Sequence, residues 1–320
     1  MKYERLSSEL IRALRGARSQ TALSRRLGYR SNVVYTWEAG DGFPTAARAL
    51  ALARRVGVEP TEALTRFYDQ PPGWLADADV ATRSGVARLL GDLRGHRSIN
   101  ELATASGRNR YAVSRWIKGA TEPRLPDFLR LIDACSLRLL DFLAAFVDPA
   151  ELPEAAEAWR ALEAARGAAR DAPWSHAVLR ALELDAYRTL PSHERGWIAQ
   201  RLGIGVDQED QCLELLLQAG QIRKGAEGHF EHQVATVDVR RDRLATRNLA
   251  AWCAELAHTR LVESGAGTFA FNLFGVSAQD LTRLRQLQRD YFAELRAIVA
   301  ESQPVERVAV ANLQLFCLDE

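Results

Sequence analysis

Apolar side chains recur every three or four positions through the first 58 residues, which is the spacing of one face of an α-helix. Four short helices are predicted, with apolar positions at Leu10, Ile11 and Leu14; at Ala22, Leu23 and Leu27; at Val33, Val34 and Trp37; and at Ala47, Leu50, Ala51 and Val56. Gly28 and Gly40 end the second and third helices, because glycine adopts a positive φ without steric cost. Pro44 then opens the fourth helix. The pattern therefore predicts a cluster of short helices.

The same pattern returns 79 residues further along the chain without a gap. Residues 29 to 40 read YRSNVVYTWEAG, and residues 108 to 119 read RNRYAVSRWIKG. Other matches are Leu14 with Leu93, Arg15 with Arg94, Gly16 with Gly95, Arg18 with Arg97, Ser19 with Ser98, Leu23 with Leu102, Pro44 with Pro123 and Leu50 with Leu129. Two copies indicate a duplicated domain, since a solenoid needs at least three stacked units.

Each copy contains two short helices joined by a turn with glycine, an order typical of the helix-turn-helix motif. Over about residues 6 to 58, the first copy resembles the Cro and lambda-repressor-like (XRE-type) DNA-binding domains in Gln20, Leu23, Gly28, Val34, Trp37, Glu38, Gly40, Pro44 and Leu50. The second copy resembles them in Leu102, Ala103, Gly107, Val113, Trp116, Gly119, Pro123 and Leu129. It departs from the family at Ile99, where the family has glutamine, and at Ile117, where the family has glutamate.

The resemblance implies that the third helix of each copy reads base edges in the major groove. Base contacts are expected from Ser31, Asn32 and Thr36, at one, two and six residues into the third helix, and from Arg110, Tyr111 and Arg115 in the second copy. Asparagine can pair with adenine, and arginine with guanine. Backbone phosphate contacts, which give affinity without sequence information, are expected from Arg18, Gln20, Arg25, Arg26, Arg30, Arg97, Arg108 and Lys118.

Two alternatives apply to these residues. A single surface arginine is more often part of a solvated helix face than of a binding site, and only the clustering of basic residues around both motifs favours DNA. Trp37 and Trp116 could stack on bases, but their place on the apolar side of the third helix predicts that they pack in the core.

The second half of the chain has a different predicted order. A helical connector at residues 147 to 173 is followed by an amphipathic helix at 174 to 190, helices within PSHERGWIAQRLGI and GVDQEDQCLELLLQAGQI, and a hairpin at RKGAEGHFEH. Three helices and a glycine-tipped hairpin are the order of a winged helix. Its would-be recognition helix carries Asp207, Glu209, Asp210 and Glu214, whose charges would repel phosphate. This unit is therefore assigned to folding or to contact with a partner.

Beyond the hairpin, predicted helices at residues 242 to 264 and 277 to 302 are each followed by a strand-like segment, GTFAFNLFGV and VERVAVANLQLFCL. The two strands are expected to pair with the wing or with another subunit, because two strands alone make a weak sheet. Over about residues 155 to 318, this half resembles an uncharacterised domain found behind helix-turn-helix segments in bacterial regulators, in WSHAVLRAL, LGIGVDQEDQCLELLLQAG and NLQLFCL. That resemblance supplies no ligand and no catalytic residue.

Charge is distributed unevenly along the 320 residues. Residues 1 to 146 hold 23 Lys or Arg against 15 Asp or Glu, a net charge of +8, whereas the remainder holds 19 against 26, a net charge of −7. The asymmetry suggests that only the front of the chain meets a polyanion. There is no run near the roughly 18 apolar residues of a spanning helix and no apolar core of a signal peptide, so a cytoplasmic, nucleoid-associated location is expected.

Patterns for catalysis and metal binding are missing from the sequence. The four cysteines are widely spaced without a CxxC pair, and His229 and His232 have no cysteine or carboxylate cluster to complete a zinc site. No serine or cysteine nucleophile stands in a recognisable turn, and GAGTF at residues 265 to 269 lacks the lysine and the length of a phosphate-binding loop. The expectation is a protein that is not an enzyme and carries no cofactor.

These observations predict a mainly α protein with two tandem lambda-repressor-like helical DNA-binding domains and an α+β C-terminal domain that contains a winged-helix-like unit. The predicted division is a first helix-turn-helix at 1–68, a linker at 69–84, a second helix-turn-helix at 85–146, a connector at 147–173, the winged-helix-like unit at 174–240 and an α/β regulatory or dimerisation unit at 241–320.

The expected function is that of a bacterial, sequence-specific transcriptional regulator, a repressor rather than an activator, that binds a non-palindromic double-stranded DNA operator. A homodimer and a protein or small-molecule effector at the C-terminal half are further expected partners, with no membrane. One alternative is an antitoxin-like or adaptor protein whose C-terminal half binds a protein partner. Another is a nonspecific nucleoid binder.

Overall fold

The first 58 residues fold into four helices at the places that the hydrophobic pattern indicates. The computed structural model of the protein describes residues 1 to 68, 71 to 95, 97 to 233 and 242 to 319. The helices of the first repeat are α1 (Tyr3–Arg15), α2 (Gln20–Arg26), α3 (Val33–Ala39) and α4 (Ala46–Val56). Ser19 caps α2 by accepting a hydrogen bond from the N–H of Ala22. Gly40 ends α3 with a φ of 84°, a conformation in which glycine is free of strain.

The second repeat follows two short helices, α5 (Pro60–Phe67) and α6 (Trp74–Asp77). Its helices are α7 (Arg83–Arg94), α8 (Ile99–Ser106), α9 (Arg110–Ile117) and α10 (Leu125–Ser136). Ser98 and Glu101 form a reciprocal capping box at the start of α8, and Asn109 caps α9 by accepting from the N–H of Tyr111. The predicted break at DQPPGW falls in part on residues 69 and 70, which lie outside the described residues.

An antiparallel β-bridge joins the two repeats in the segments just before α4 and α10. The N–H of Ala46 donates to the carbonyl of Pro123, and the N–H of Leu125 donates to the carbonyl of Pro44, both at 2.9 Å. Ala46 and Leu125 are 79 residues apart, as are Pro44 and Pro123, so the two bonds exchange equivalent groups. This reciprocity is typical of an isologous contact and indicates a pseudo-two-fold axis at the inter-repeat bridge. The packing agrees, because α1 packs on α10 and its counterpart α7 packs on α4.

One hydrophobic core serves both repeats. Its most deeply buried side chains include Leu6, Ile11, Leu23 and Leu52 from the first repeat and Leu89, Leu90, Leu102 and Phe128 from the second. Phe67 of α5 and Phe128 of α10 both pack edge-on against Phe142 of α11 (Leu139–Ala144), with centroid distances of 5.8 and 5.7 Å. Each such buried side chain stabilises the fold by about 1.5–3 kcal/mol. Residues 1 to 160 accordingly form one compact unit, and residues 161 to 320 form another.

The predicted connector contains a 3-10 turn (Pro149–Glu151) and α12 (Ala156–Asp171). The helices that follow are α13 (Ser175–Ala181), α14 (Asp185–Arg188), α15 (Trp197–Leu202) and α16 (Val206–Gln218). The predicted hairpin is formed by β1 (Ile222–Lys224) and β2 (Phe230–His232), which pair antiparallel with Ile222 opposite His232. The prediction of one helix at 174 to 190 is wrong. Two helices form there, because the N–H of Asp185 donates to the carbonyl of Val305 instead of continuing the helical ladder.

The two strands predicted near the C-terminus are absent from the described residues. Helices α17 (Arg243–Glu263) and α18 (Ala278–Glu301) form as predicted, but GTFAFNLFGV and VERVAVANLQLFCL lie outside regular structure. Alternating apolar residues indicate a pleated face, but a strand forms only beside a hydrogen-bonded neighbour. Mainly helical architecture is thus confirmed, with β1 and β2 as the two strands of the described ranges. Within the same ranges, no helix combines the length and apolarity needed to cross a membrane.

Candidate nucleic-acid interface

The exposed face of α3 is formed by polar residues around its first turn. Ser31, Asn32 and Thr36 are all exposed. Their expected placement within the helix is wrong for two of them, because α3 begins at Val33 and Asn32 has a non-helical ψ of 67°. The Oδ1 of Asn32 accepts a hydrogen bond of 3.1 Å from the hydroxyl of Ser24, whose oxygen in turn accepts from the N–H of Val34. This relay fixes Asn32 against α2 while its side chain stays exposed.

Tyr35 is a residue of this face that sequence reasoning missed. Its side chain is 58% exposed, next to Thr36. The sequence did indicate that Tyr35 is exposed, since Tyr35 lies off the apolar stripe formed by Val34 and Trp37. The phenol adds a hydroxyl and an apolar ring to the groups that α3 offers to a partner.

Below this face, a buried carboxylate ties α1, α2 and α3 together. The Oε1 of Glu38 receives the Nε of Arg15 at 2.6 Å, and its Oε2 receives the Nη2 of Arg15 at 3.2 Å and the Nε2 of Gln20 at 2.8 Å. Burial works to raise the pKa of Glu38, but the hydrogen bonds from Arg15 and Gln20 outweigh it, so that the pKa lies below its usual value. Glu38 is therefore charged, and the amide nitrogen of Gln20 is committed to it.

The second repeat has replaced this polar cluster with apolar side chains. Ile99 stands where the first repeat has Gln20, and Ile117 stands where it has Glu38; both are half-buried and packed against the core. Arg94, the counterpart of Arg15, keeps its place but has a buried Nε without a hydrogen-bond partner. The unpaired nitrogen is the direct consequence of losing the carboxylate. The tryptophans differ too: Trp37 is buried as predicted, whereas Trp116 is only half-buried.

Helix α9 exposes a larger and more basic face than α3. Arg110, Tyr111 and Arg115 are all exposed, Tyr111 by 77%. Neither arginine side chain forms an ion pair within the parts of the chain that the structure describes. Two guanidinium groups and a phenol thus stand at the positions that Ser31, Asn32 and Thr36 occupy in the first repeat.

The predicted phosphate-binding residues fall into two groups. Arg25, Arg26, Arg30 and Lys118 are exposed and make no ion pair in the described ranges. The others have partners inside the protein: Gln20 with Glu38, Arg18 with the carbonyls of Arg15 and Val56, Arg97 with the carbonyl of Ala134, and Arg108 with Asp127 at 2.6 Å. The side chains of the first group are thus free to contact a polyanion, whereas Arg108 is neutralised by Asp127 and Arg18 and Arg97 are held by carbonyls.

Arg18 and Arg97 are equivalent residues with the same structural task. Each guanidinium donates to a carbonyl near the C-terminal end of the fourth helix of its repeat, Val56 of α4 and Ala134 of α10. A cation at this end also interacts favourably with the helix dipole. Arginine occurs at this position in both repeats. Since the other residues that the two repeats share have structural roles, this shared arginine also indicates a role in the fold.

Comparison with family models gives a single assignment for the second half. Residues 154 to 318 match the family described as a domain of unknown function, DUF4423, which is more than half of the 320 residues. The chain belongs to the DUF4423 family. The match confirms the predicted resemblance of residues 155 to 318 to an uncharacterised domain. No curated protein and no solved structure matches the chain.

At the centre of the DUF4423 region is a buried polar relay that the sequence did not indicate. Glu209 of α16 is fully buried, and it accepts hydrogen bonds from the N–H groups of Gly196 at 3.1 Å and Ala199 at 2.5 Å, so that it caps α15 from a neighbouring helix. The Nε2 of His193 lies 3.5 Å from its Oε1. The Nδ1 of His193 lies 3.2 Å from the hydroxyl of Tyr187.

The relay continues into the hairpin. The hydroxyl of Tyr187 accepts from the N–H of Phe230 on β2 at 3.2 Å, and can therefore donate to His193. Burial lowers the pKa of His193, although the nearby Glu209 opposes this shift. A neutral His193 with its proton on Nε2 satisfies every donor and acceptor in the relay. The relay therefore fixes α15, α16 and the hairpin relative to one another within this unit.

The four acidic residues expected to repel phosphate from α16 do not share one exposed face, because Glu209 is fully buried. Asp207 and Asp210 are exposed or half-exposed, and both pair with Arg195, at 3.3 and 2.6 Å. Successive residues of a helix point in different directions, so Glu209 can be buried while its neighbour Asp210 faces Arg195.

Proposed function

We propose that this DUF4423 protein is a sequence-specific, double-stranded DNA-binding transcriptional regulator whose residues 1 to 160 bind the duplex through two tandem helix-turn-helix motifs. The observation that carries the proposal is the inter-repeat bridge, whose reciprocal hydrogen bonds relate α3 to α9 by a pseudo-two-fold axis. The sugar–phosphate backbones of a duplex are related by two-fold axes, and paired recognition helices use that symmetry to enter successive grooves.

The two helices present unlike side chains under this symmetry. Ser31, Asn32 and Thr36 in α3 are replaced by Arg110, Tyr111 and Arg115 in α9, while the buried positions around them are kept. The operator is then non-palindromic, because its two half-sites are inverted in orientation but differ in sequence. Arginine favours guanine, so the half-site under α9 should be richer in G·C pairs.

Electrostatics supports the same proposal. The net charge of +8 on residues 1 to 146 contrasts with −7 on the remainder. Arg25 and Arg26 of α2 and Arg30 of the following turn are exposed without ion pairs in the described ranges, close in sequence to the start of α3. Free cations at this place release counterions from DNA phosphates on binding, which gives affinity that falls with salt.

Duplex binding by the full chain is the experiment that tests the proposal, read as fluorescence anisotropy of labelled duplexes at increasing salt. We expect Arg115→Ala to reduce preference at one half-site by about 1–3 kcal/mol, because a bidentate contact to a base is lost. Arg110→Ala should act in the same half-site. Arg25→Ala should instead weaken binding to all sequences alike and lower the slope of log affinity against log salt by about 1.

Arg283→Ala is the matched control, since this exposed arginine of α18 lies outside residues 1 to 160 and its loss removes the same charge. It should leave both preference and salt slope unchanged. Failure of the full chain to bind any duplex at low salt would contradict the proposal. An unchanged preference in both Arg110→Ala and Arg115→Ala would remove α9 from base recognition.

A further inference from the structure

The end of the chain carries an exposed apolar surface that the rest of the molecule does not account for. Every residue from 258 to 279 is exposed. The large apolar side chains of this C-terminal apolar surface are Phe269, Phe271, Leu273, Phe274, Phe316 and Leu318. Scattered exposed hydrophobics are ordinary, but a concentration of this kind marks an interaction site.

The area is large enough for a stable interface. Phe271 is 98% exposed and Phe316 is 68% exposed, with Phe269 and Phe274 each near half. At about 150–250 Å² for a whole aromatic side chain, these four phenylalanines alone expose about 400–600 Å². A stable protein–protein interface buries about 800 Å² on each partner, so these four side chains supply at least half of that area, and the exposed Leu273 and Leu318 add to it.

Two extended segments within this surface have unused strand edges. Residues 267 to 276 make no backbone–backbone hydrogen bond to any described residue, and the same holds for residues 308 to 318, where the carbonyl of Leu313 accepts from the side chain of Gln288. In the first segment Phe269, Phe271 and Leu273 alternate with smaller or polar residues. In the second, the exposed Phe316 and Leu318 alternate with the half-buried Leu315 and Cys317. Both segments thus have the side-chain alternation of strands, and their N–H groups and most of their C=O groups are not paired with the backbone of a described residue.

The composition of these segments favours a partner of the same sequence. No Asp, Glu, Lys or Arg occurs between residues 264 and 279 or between residues 308 and 318. Exposed strands of natural proteins usually carry charged residues or prolines, which prevent pairing between strand edges. Neither type of residue occurs in the two segments. The extended segments of two copies can therefore meet without like-charge repulsion between them.

We propose that residues 267 to 276 and 308 to 318 form a self-association surface through which two copies of this chain dimerise, with the extended segments of one copy pairing with those of the other. An isologous contact of this kind buries the exposed phenylalanines of both copies in one interface. The proposal does not depend on DNA binding, because none of its residues lies within residues 1 to 160. If both hold, a dimer carries four helix-turn-helix motifs.

Sedimentation equilibrium of the full chain without DNA tests this proposal. The unmodified chain should sediment with the mass of two chains at micromolar concentration. Phe271→Asp and Phe316→Asp should each weaken association by about 100-fold, because a buried aromatic anchor is lost and a carboxylate is placed in an apolar interface. Leu137→Asp is the matched control. Leu137 is 72% exposed on the first unit with a φ of 56°, which aspartate tolerates, and this variant should remain dimeric.

Hydrogen exchange of the unmodified chain provides a readout that does not depend on any variant. Amides of residues 267 to 276 and 308 to 318 should become protected as the protein concentration rises, while those of α1 to α4 should not change. A monomer at every concentration would overturn the proposal, as would a dimer that both aspartate variants leave intact. Recovery of a monomeric chain bound stoichiometrically to a different protein through these residues would also overturn it.

Discussion

Replacing Glu209 with alanine should destabilise the second unit by about 3–5 kcal/mol, the range observed when one partner of a buried charged network is removed. The carboxylate is fully buried and accepts from the N–H groups of Gly196 and Ala199. Without it, both N–H groups of the α15 terminus stay buried and unpaired, and His193 loses the group that faces its Nε2. Hydrogen exchange measured on α13 to α16 of the full chain should accelerate by about two to four orders of magnitude.

Asp207→Ala is the control for this experiment. Asp207 belongs to the same helix and carries the same charge, but its side chain is fully exposed. Exchange in α13 to α16 should be unchanged in this variant, and exchange in α1 to α4 should be unchanged in both. If Glu209→Ala exchanged no faster than Asp207→Ala, the capping role of the buried carboxylate would be wrong.

Replacing Glu38 with alanine should destabilise the first repeat by about 2–3 kcal/mol. The loss is smaller than for Glu209, because Arg15 stays partly exposed and keeps hydrogen bonds to the carbonyls of Gly16 and Arg18. Exchange in α1 to α3 should accelerate by about 30- to 150-fold. Because the pKa of Glu38 is lowered from 4.5, its contribution is present above about pH 4.5 and is lost as the pH falls further.

The second repeat supplies the control for Glu38. A chain with both Gln20→Ile and Glu38→Ile copies the pair found at Ile99 and Ile117. It should lose less stability than Glu38→Ala, since well-packed apolar side chains can replace a buried polar pair at little cost. Equal losses in the two variants would show that the two repeats do not share the same packing around this position.

Much of the helical architecture could be predicted from the sequence because its signals are local. Helical periodicity, the glycines at 28 and 40 and the 79-residue repeat place four helices in each copy without knowledge of tertiary contacts. The reciprocal bridge between the repeats could not be predicted, because it joins Ala46 to Pro123 through backbone groups that leave no mark on side-chain choice.

Some features of the candidate site could likewise be predicted from the sequence, and others could not. Exposure of Thr36 and Arg115 follows from their place opposite Val34 and Val113 on the third helices. The roles of Arg18 and Arg97 depend on where a guanidinium meets a distant carbonyl, and the inward direction of Glu209 depends on which side of α16 is covered. A charged residue in the sequence indicates neither its hydrogen-bond partner nor its burial, because a buried, paired residue and a solvated residue can be of the same type.

Selection of bound duplexes from a random pool by the full chain tests the central claim most directly. The account predicts two inverted half-sites of unlike sequence. The variant in which Arg110, Tyr111 and Arg115 are replaced by serine, asparagine and threonine, the residues of the first repeat, should select a symmetric palindrome instead. A selected pool as diverse as the starting one would contradict the account, as would half-sites in direct repeat.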